Sequence, residues 1–320
     1  MKKRTLIALI VAVCLIFVGG LLLTMGLSYA GNHPQESTLI QREVLISEPF
    51  DSVVIDTADC DVKFMPCNGD VDAQVVLLEQ ENANHSVMVE EGILKIKMTD
   101  KRNWTDHIGI YNVFGQSENM EMIVYLPAVE YESLQVRTAT GDITLAQDPI
   151  FLNVLLRTST GDISCVGAGG DVLDCMTSTG DISVQNSGAD TLKLQSNTGD
   201  FAVSAVAGNE IHMRTTTGEV DAENVNVQMF TCKTDTGDVE LEKVLAEDYL
   251  QVFTDNGSVE VNNSDAGAVN IETNTGDVSG HFLTPKWFSA FSDTGDVTVP
   301  NTPEGGECRI QTDSGDIHFK

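Results

Sequence analysis

The stretch TATGDITL (138–145) returns along the chain as TSTGDISC, TSTGDISV, SNTGDFAV, TDTGDVEL and SDTGDVTV. A period of this length is the sequence signature of a repeat protein, in which each unit stacks on the next. We therefore predict one elongated unit built by repetition. Its turn glycine recurs every 19 or 20 residues, at Gly141, Gly161, Gly180, Gly199, Gly218, Gly237, Gly257, Gly276, Gly295 and Gly315.

Apolar residues alternate with polar ones around each glycine, which is the pattern of a half-buried β-strand. The positions two and four after the glycine point inward, as do those five and seven before it; Ile182 and Leu192 are examples. We interpret the cysteines on these inward positions as small buried hydrophobes. They are Cys165, Cys175, Cys232 and Cys308.

Each unit therefore reads as strand, turn, strand and connector. A parallel β-solenoid and an antiparallel meander or propeller both satisfy this pattern. Tight hairpins prefer Asn-Gly or Asp-Gly, whereas nine of the ten turns carry Thr or Ser before the glycine. We predict an all-β fold, a parallel β-solenoid of about ten coils over residues 131–320, with each glycine in a left-handed turn conformation.

The N-terminus has a different character. Lys2, Lys3 and Arg4 precede residues 5–35, which contain no charged residue. Residues 6–27 are long enough for a transmembrane helix, and the basic tip predicts a cytoplasmic N-terminus. We expect a tip and anchor over 1–30, a linker over 31–49 and a single-pass protein of the cell membrane with its repeat domain outside the cytoplasm. Cleavage after Ala30 is the alternative.

Residues 50–130 are predicted to form a β-rich cap, because an uncovered solenoid end is an open sheet edge. Within them, VVIDTADCDVKF (53–64) fits the repeat register with Cys60 in place of the glycine. At the other end, TDSGDIHFK (312–320) stops inside a coil. We therefore expect the open edge of the solenoid at this C-terminal segment.

The T-x-T-G-D array, the preceding YLPAVEYESLQVRTATGDI (125–143) and the apolar N-terminal segment resemble the putative-adhesin family of bacterial β-strand-repeat proteins of unknown function. The resemblance covers roughly residues 50–320. It implies a role in the cell envelope, in some cases beside envelope-stress signalling. It brings no catalytic residues to this chain.

The chain carries 48 acidic and 18 basic residues, a formal charge of −30. Phosphate binding requires a basic footprint, so we expect no nucleic-acid partner. The sequence contains no G-x-S-x-G, H-E-x-x-H or P-loop motif, and its six histidines are scattered. We expect no enzymatic activity and no organic cofactor, and a polysaccharide-active enzyme is the least favoured alternative.

An acidic residue follows nine of the ten turn glycines. One interpretation is a hydrogen-bond acceptor within each turn. The other is a row of Ca²⁺ sites, because Ca²⁺ prefers oxygen ligands. The candidate ligands are Asp142, Asp162, Asp181, Asp200, Asp238, Asp277, Asp296 and Asp316.

Cations recur four residues before the glycine, at Arg137, Arg157, Arg214 and Lys233. We interpret this outward position as a solvated face. Phe253 and Phe291 occupy the same outward position and form a candidate apolar patch for a partner.

Together these features predict a membrane-anchored, extracytoplasmic, adhesin-like scaffold of a bacterial envelope. A repeated surface offers many weak contacts at once, which suits an envelope protein or a polymer. The alternative function is an accessory or sensor protein of envelope-stress signalling, with its specificity in the cap.

Overall fold

The computed structural model describes residues 39–67, 72–100, 120–147 and 150–320. The predicted transmembrane segment and residues 31–38 of the predicted linker lie outside the described residues. Within them, no helix is long and apolar enough to cross a membrane.

The described residues form 24 strands. The first seven are β1 (Leu39–Ile46), β2 (Ser52–Asp56), β3 (Cys60–Pro66), β4 (Ala73–Gln80), β5 (Ala83–Glu90), β6 (Ile93–Asp100) and β7 (Met120–Leu126). The next nine are β8 (Glu130–Arg137), β9 (Ile143–Leu145), β10 (Ile150–Arg157), β11 (Ile163–Val166), β12 (Gly169–Met176), β13 (Ile182–Gln185), β14 (Gly188–Gln195), β15 (Phe201–Ala207) and β16 (Glu210–Arg214). The last eight are β17 (Val220–Thr236), β18 (Val239–Asn256), β19 (Val259–Thr275), β20 (Val278–Phe282), β21 (Lys286–Thr294), β22 (Val297–Thr298), β23 (Gly306–Ser314) and β24 (Ile317–Phe319).

The coils pair in parallel, so that equivalent residues stack. Ile163 pairs with Ile182, and Ile182 pairs in turn with Phe201. The predicted parallel β-solenoid is confirmed, and the meander and propeller are excluded. We call the surface formed by the strands before the turn glycines the pre-turn sheet, and the one formed by the strands after them the post-turn sheet.

The core is a single column of side chains between these two sheets. Leu192 and Ile182 are fully buried, and the cysteines at inward positions are buried as well. Burial raises the pKa of the Cys232 thiol to about 12, so this sulfur packs as a protonated, apolar group. Cys60 lies in register above Gly141, as the sequence predicts, since Val62 pairs with Ile143.

Each turn glycine is required by the neighbouring coil. Seven of these glycines have positive φ, between +148° and +159°, the region that favours glycine, as the sequence predicts. At Gly199 a Cβ would lie 2.5 Å from the carbonyl carbon of Gly180 and closer still to its oxygen. The backbones of successive turns therefore approach too closely for any side chain.

A hydroxyl row explains the Thr or Ser three residues before each glycine. Thr234 and Thr254 are fully buried, and each donates a hydrogen bond of 3.2 Å to the turn-glycine carbonyl of the preceding coil, Gly218 and Gly237 respectively. The hydroxyl thus satisfies a carbonyl inside the stack, where water is excluded.

A second row of residues, six positions after the turn glycine, has positive φ. These residues adopt the left-handed conformation, with φ between 50° and 72°, and close the opposite corner of six successive coils. They are Gly167, Asn186, Ala205, Asn224, Lys243 and Asn263. Asn and Gly tolerate this conformation best, but the row is not evident from the sequence because its residue types vary.

The N-terminal coils do not stack in chain order. β2 and β3 lie between the coil of β6 and β7 on one side and the coil of β8 and β9 on the other. β5 then pairs antiparallel with β6, β4 with β7, and β1 with β4. These antiparallel strands cover the N-terminal end of the stack.

The C-terminal coils are exchanged in the same way. β23 pairs with β19 on one side and β21 on the other, and β24 lies between β20 and β22. The expectation of an open edge at residues 312–320 is therefore wrong. The outermost coil is formed by β21 and β22, because every coil carries the same hydrogen-bonding rows and can stack in either order.

One buried hydroxyl lacks a partner. Ser187 is 4% exposed, and its Oγ makes no hydrogen bond with the described residues. The equivalent hydroxyl of Ser264 accepts the Val244 N–H at 2.9 Å and donates to the Asn262 carbonyl at 2.9 Å. Ser187 therefore carries a desolvation cost that Ser264 does not.

We expect Ser187→Ala to raise the free energy of unfolding by about 1 kcal/mol, because it removes an unsatisfied buried hydroxyl. Ser264→Ala should lower it by about the same amount, since it leaves the Val244 N–H without an acceptor. Urea unfolding of the two variants checks this pair. A loss of stability in Ser187→Ala would contradict the assignment.

Candidate functional site

A groove of about 420 Å³ lies on the outer face of the pre-turn sheet. Outward side chains of successive coils line it in two rows. The row six residues before the glycines contains Asp174, Lys193, His212, Thr231 and Gln251. The row four residues before them contains Arg157, Met176, Gln195, Arg214, Lys233 and Phe253.

Strand register creates these rows. Lys193 pairs with His212, and Arg214 pairs with Lys233, so each row crosses the strands at one residue per coil. The residue between the two rows points inward, as Leu194 does. The alternation that builds the core therefore also builds the groove.

An ion pair marks the end of the groove nearer the cap. The Arg157 guanidinium donates Nη1 to Asp174 Oδ1 at 2.9 Å and Nη2 to Oδ2 at 2.8 Å. Both side chains are about three-quarters buried. This bidentate geometry neutralises Arg157 and holds it in place.

Three other cations in the groove are not neutralised in this way. Among the described residues, no carboxylate forms an ion pair with Lys193, Arg214 or Lys233. They come from three successive coils, which are about 4.8 Å apart. Arg214 and Lys233 are direct neighbours across the strands, and like charges in such a pair repel each other.

Lys233 has an aromatic partner instead of an acidic one. Its Nζ lies 4.9 Å from the ring centroid of Phe253, at the far end of the groove. Such a cation–π contact orients the ammonium group without cancelling its charge. The groove thus combines cations with an aromatic surface.

The groove also contains a hydrogen-bonded histidine. His212 Nδ1 lies 2.7 Å from Thr231 Oγ1, and its Nε2 lies 3.1 Å from Glu210 Oε2. The imidazole is partly exposed to solvent. The sequence does not single out Lys193 and His212 as site residues, because their row carries a different residue type in each coil.

The aromatic patch predicted from Phe253 and Phe291 does not form. Strands β19, β23 and β21 follow the strand of Phe253 in spatial order, and Phe291 lies on β21. Three coil steps, about 14 Å, therefore separate the two rings along the stack. Phe253 belongs to the groove, and Phe291 belongs to the outermost coil.

The aspartate row has a structural task. Asp181 Oδ1 accepts the Asp200 N–H of the next coil at 2.8 Å, and Asp162 accepts the Asp181 N–H in the same way. Equivalent bonds of 2.7–3.0 Å recur along the row. The acceptor bonds run between coils, not within a turn as one interpretation of the sequence predicted.

The calcium row stays a prediction. In the described ranges no group of three or more His, Cys, Asp or Glu residues is close enough to hold a metal ion. One oxygen of each bonded aspartate already accepts a backbone N–H, while the residues themselves are exposed. A Ca²⁺ titration of the unfolding temperature against matched ionic strength tests this row.

A buried polar network joins the cap strands to the first coil. Glu79 Oε2 accepts the His85 N–H at 2.8 Å and lies 3.0 Å from His85 Nδ1, while Oε1 accepts Arg42 Nε at 2.9 Å. His85 Nε2 lies 2.8 Å from Thr57 Oγ1. The Arg42 guanidinium also donates to the His85 carbonyl.

This chain of hydroxyl, imidazole and carboxylate has the connectivity of a hydrolase triad. However, the His85 side chain is fully buried and Thr57 is 8% exposed. Burial also lowers the pKa of His85, although the Glu79 carboxylate opposes this shift. We interpret the network as a clamp on the cap. It is not evident from the sequence because its members are far apart in the chain.

The Toastrack DUF4097 profile matches residues 50–244 and, in a second match, residues 210–320. The chain belongs to the Toastrack DUF4097 family. This membership confirms the resemblance to the adhesin-like β-repeat proteins. No curated protein matches the chain significantly.

Several solved structures are similar to this Toastrack chain. A putative adhesin from Bacteroides fragilis is 12% identical, covers 88% of this chain and 97% of its own, and superposes with a TM-score of 0.39. A putative adhesin from Parabacteroides merdae is 14% identical over 78% and 98% of the two chains, with a TM-score of 0.46. A putative lipid binding protein from Parabacteroides distasonis is 14% identical over 89% and 98%, with a TM-score of 0.45.

Proposed function

We propose that this Toastrack protein is a non-catalytic, adhesin-like scaffold of the bacterial envelope that binds an anionic polysaccharide in the pre-turn groove. The observation that carries the proposal is the set of three unneutralised cations in one groove of a chain with a formal charge of −30. Basic residues are scarce in this chain, so their concentration in one groove calls for a negatively charged partner.

The spacing of the cations favours a linear ligand. Lys193, Arg214 and Lys233 come from successive coils, so a polymer that lies along the stack meets one cation per coil. Lys193 and Arg214 are exposed and Lys233 is partly exposed, so each ionic contact is weak by itself. Because the three contacts lie on one rigid surface, a polymer can make them at the same time, which raises its overall affinity.

The composition of the groove favours a sugar polymer over a nucleic acid. Phe253 and Met176 present apolar surface beside the cations, which suits the apolar face of a sugar ring. The acidic remainder of the protein repels a densely charged polyanion. A glycan with one carboxylate per sugar unit has a lower charge density and is repelled less.

The N-terminal sequence supports the proposed location. The basic tip at residues 2–4 and the apolar residues 6–27 support a single membrane anchor with the stack outside the cytoplasm. In that position the groove faces the polymers of the envelope. Protease accessibility of the stack in intact cells tests this location: protection of the stack would contradict it.

Binding of polygalacturonate, a linear polymer of uronic acid, tests the ligand class. The full chain in mild detergent is titrated with polygalacturonate and with neutral dextran, and binding is followed by calorimetry. We expect binding of polygalacturonate alone, with an affinity that falls as salt is added. Equal binding of dextran, or no binding of either, would overturn the proposal.

Charge variants locate the site. Lys193→Gln combined with Arg214→Gln should weaken binding by about tenfold or more, because two of the three free cations are lost. Arg309→Gln is the matched control, since Arg309 is an exposed cation of β23, outside the groove. A larger loss in the control would place the ligand elsewhere. Tighter binding of polyphosphate or DNA than of polygalacturonate would assign the groove to phosphate polymers instead.

A further inference from the structure

The outermost C-terminal coil leaves the core uncovered. Val297 lies two residues after its turn glycine, a position where the residues of the other coils from Ile143 onward are at most 1% exposed. Val297 is 42% exposed. Phe288 and Ala290, at inward positions of β21, are only partly buried. This end of the solenoid is therefore an open cross-section of the apolar core.

Two strand edges border this cross-section. Among the described residues, β21 pairs only with β23, and β22 pairs only with β24. The opposite edge of each strand presents N–H and C=O groups without a strand partner, which is a template for further pairing. The N-terminal end differs, because β1, β4 and β5 cover it.

The rim of the open end is apolar as well. Leu283, Trp287 and Phe291 are 55%, 54% and 56% exposed. With Val297, they place four exposed large apolar side chains within or beside one coil. Clustered apolar surface of this kind marks an interaction site.

We propose that this outermost coil, β21 with β22, is the docking surface for a second copy of this chain, joined end to end. A partner that completes both strand edges presents two strands at the separation of β21 and β22, with apolar side chains between them. The same end of a second copy meets both requirements. A two-fold axis across the stack brings the strands together antiparallel, which sheets accept.

Charge makes the association dependent on salt. Asp293 and Asp296 are exposed on the outermost coil, and each copy carries a formal charge of −30. The two ends therefore repel each other at low ionic strength, and added salt screens this repulsion. Dimer formation should strengthen as salt is added, whereas polygalacturonate binding in the groove should weaken.

Light scattering after size exclusion tests the proposal on the full chain in mild detergent, at low and at high salt. We expect a dimer whose fraction rises with salt. Val297→Glu and Phe291→Glu should each weaken it by about tenfold or more, because each places a carboxylate in the apolar contact and adds to the repulsion between the two ends. Both side chains are already exposed, so the unfolding temperature should stay near that of the parent chain.

Leu245→Glu is the matched control. Leu245 is 39% exposed, close to the value for Val297, but it lies on β18 in the middle of the stack. This variant should dimerise like the parent. A monomeric parent chain at both salt levels would overturn the proposal. A dimer that survives both end variants would also overturn it, since the contact would then lie elsewhere, for example in the N-terminal segment.

Discussion

Gly199→Ala is expected to lower the free energy of unfolding by more than about 3 kcal/mol. The new Cβ would lie 2.5 Å from the carbonyl carbon of Gly180. The clash is with backbone atoms, which cannot move away by a rotamer change as a side chain can. Gly199 N–H also donates to the Thr217 carbonyl at 2.9 Å and Gly180 N–H to Thr198 at 2.9 Å, so moving either turn breaks bonds between coils.

Gly188→Ala is the matched control for this prediction. Gly188 lies in the same part of the stack, but a Cβ there has no atom within 4 Å. We expect a change within about 0.5 kcal/mol. Urea unfolding followed by circular dichroism measures both variants. Equal stability of Gly199→Ala and Gly188→Ala would show that the close approach of the turns is not what requires glycine.

Glu79→Ala is expected to cost about 3–5 kcal/mol, because it removes the acceptor at the centre of a buried charged network. Glu79 is 6% exposed, and its carboxylate forms hydrogen bonds with the His85 N–H, the His85 ring and Arg42. Arg42 reaches solvent and can recover hydration, whereas the buried imidazole cannot. Most of the cost therefore arises at His85.

Glu121→Ala is the control for Glu79→Ala. Glu121 forms an ion pair with Lys63, but both side chains are partly exposed. Exposed pairs contribute about 1 kcal/mol or less. Urea unfolding compares the two variants, and hydrogen exchange of β1, β4 and β5 reports whether the cap opens. Equal losses would show that burial of the network adds nothing.

The same network predicts a dependence on pH. Burial lowers the pKa of His85 below the ordinary 6.5, so the unfolded chain binds the proton more readily than the folded chain. The contribution of neutral His85 to stability is present above pH 6.5 and is lost as the pH falls toward the lower folded value. His85→Gln should flatten this part of the stability profile. An unchanged profile would exclude His85 as its source.

Much of the fold could be predicted from particular residues. Gly161, Gly180 and Gly199 set the period, and the alternation around Ile182 separates the core from the surface. Tight hairpins prefer Asn or Asp directly before the turn glycine. Nine of the ten turn glycines here follow Thr or Ser instead, which favoured stacked coils over hairpins. Such features act between neighbouring residues or between equivalent residues of adjacent coils, so the sequence reveals them directly.

The candidate site was only partly predictable. Arg157, Arg214 and Lys233 were recognised as an outward row, but the groove also needs Lys193 and His212 from a second row. Glu79, His85 and Thr57 meet only because the antiparallel cap strands bring them together. No spacing in the chain indicates these contacts.

The sequence by itself determined the coil: its length, its inward and outward faces, and its rows of Thr, Gly and Asp. Only the tertiary structure decided which coil lies outermost, because adjacent coils recognise each other through the same hydroxyl, carbonyl and carboxylate bonds. Thr312 bonds to the Gly276 carbonyl and Ser292 to the Gly315 carbonyl, as any adjacent coils would. The same bonds would form whether the coil of β21 and β22 or the coil of β23 and β24 lay outermost. In the structure the coil of β21 and β22 lies outermost, which places Val297 at the open end.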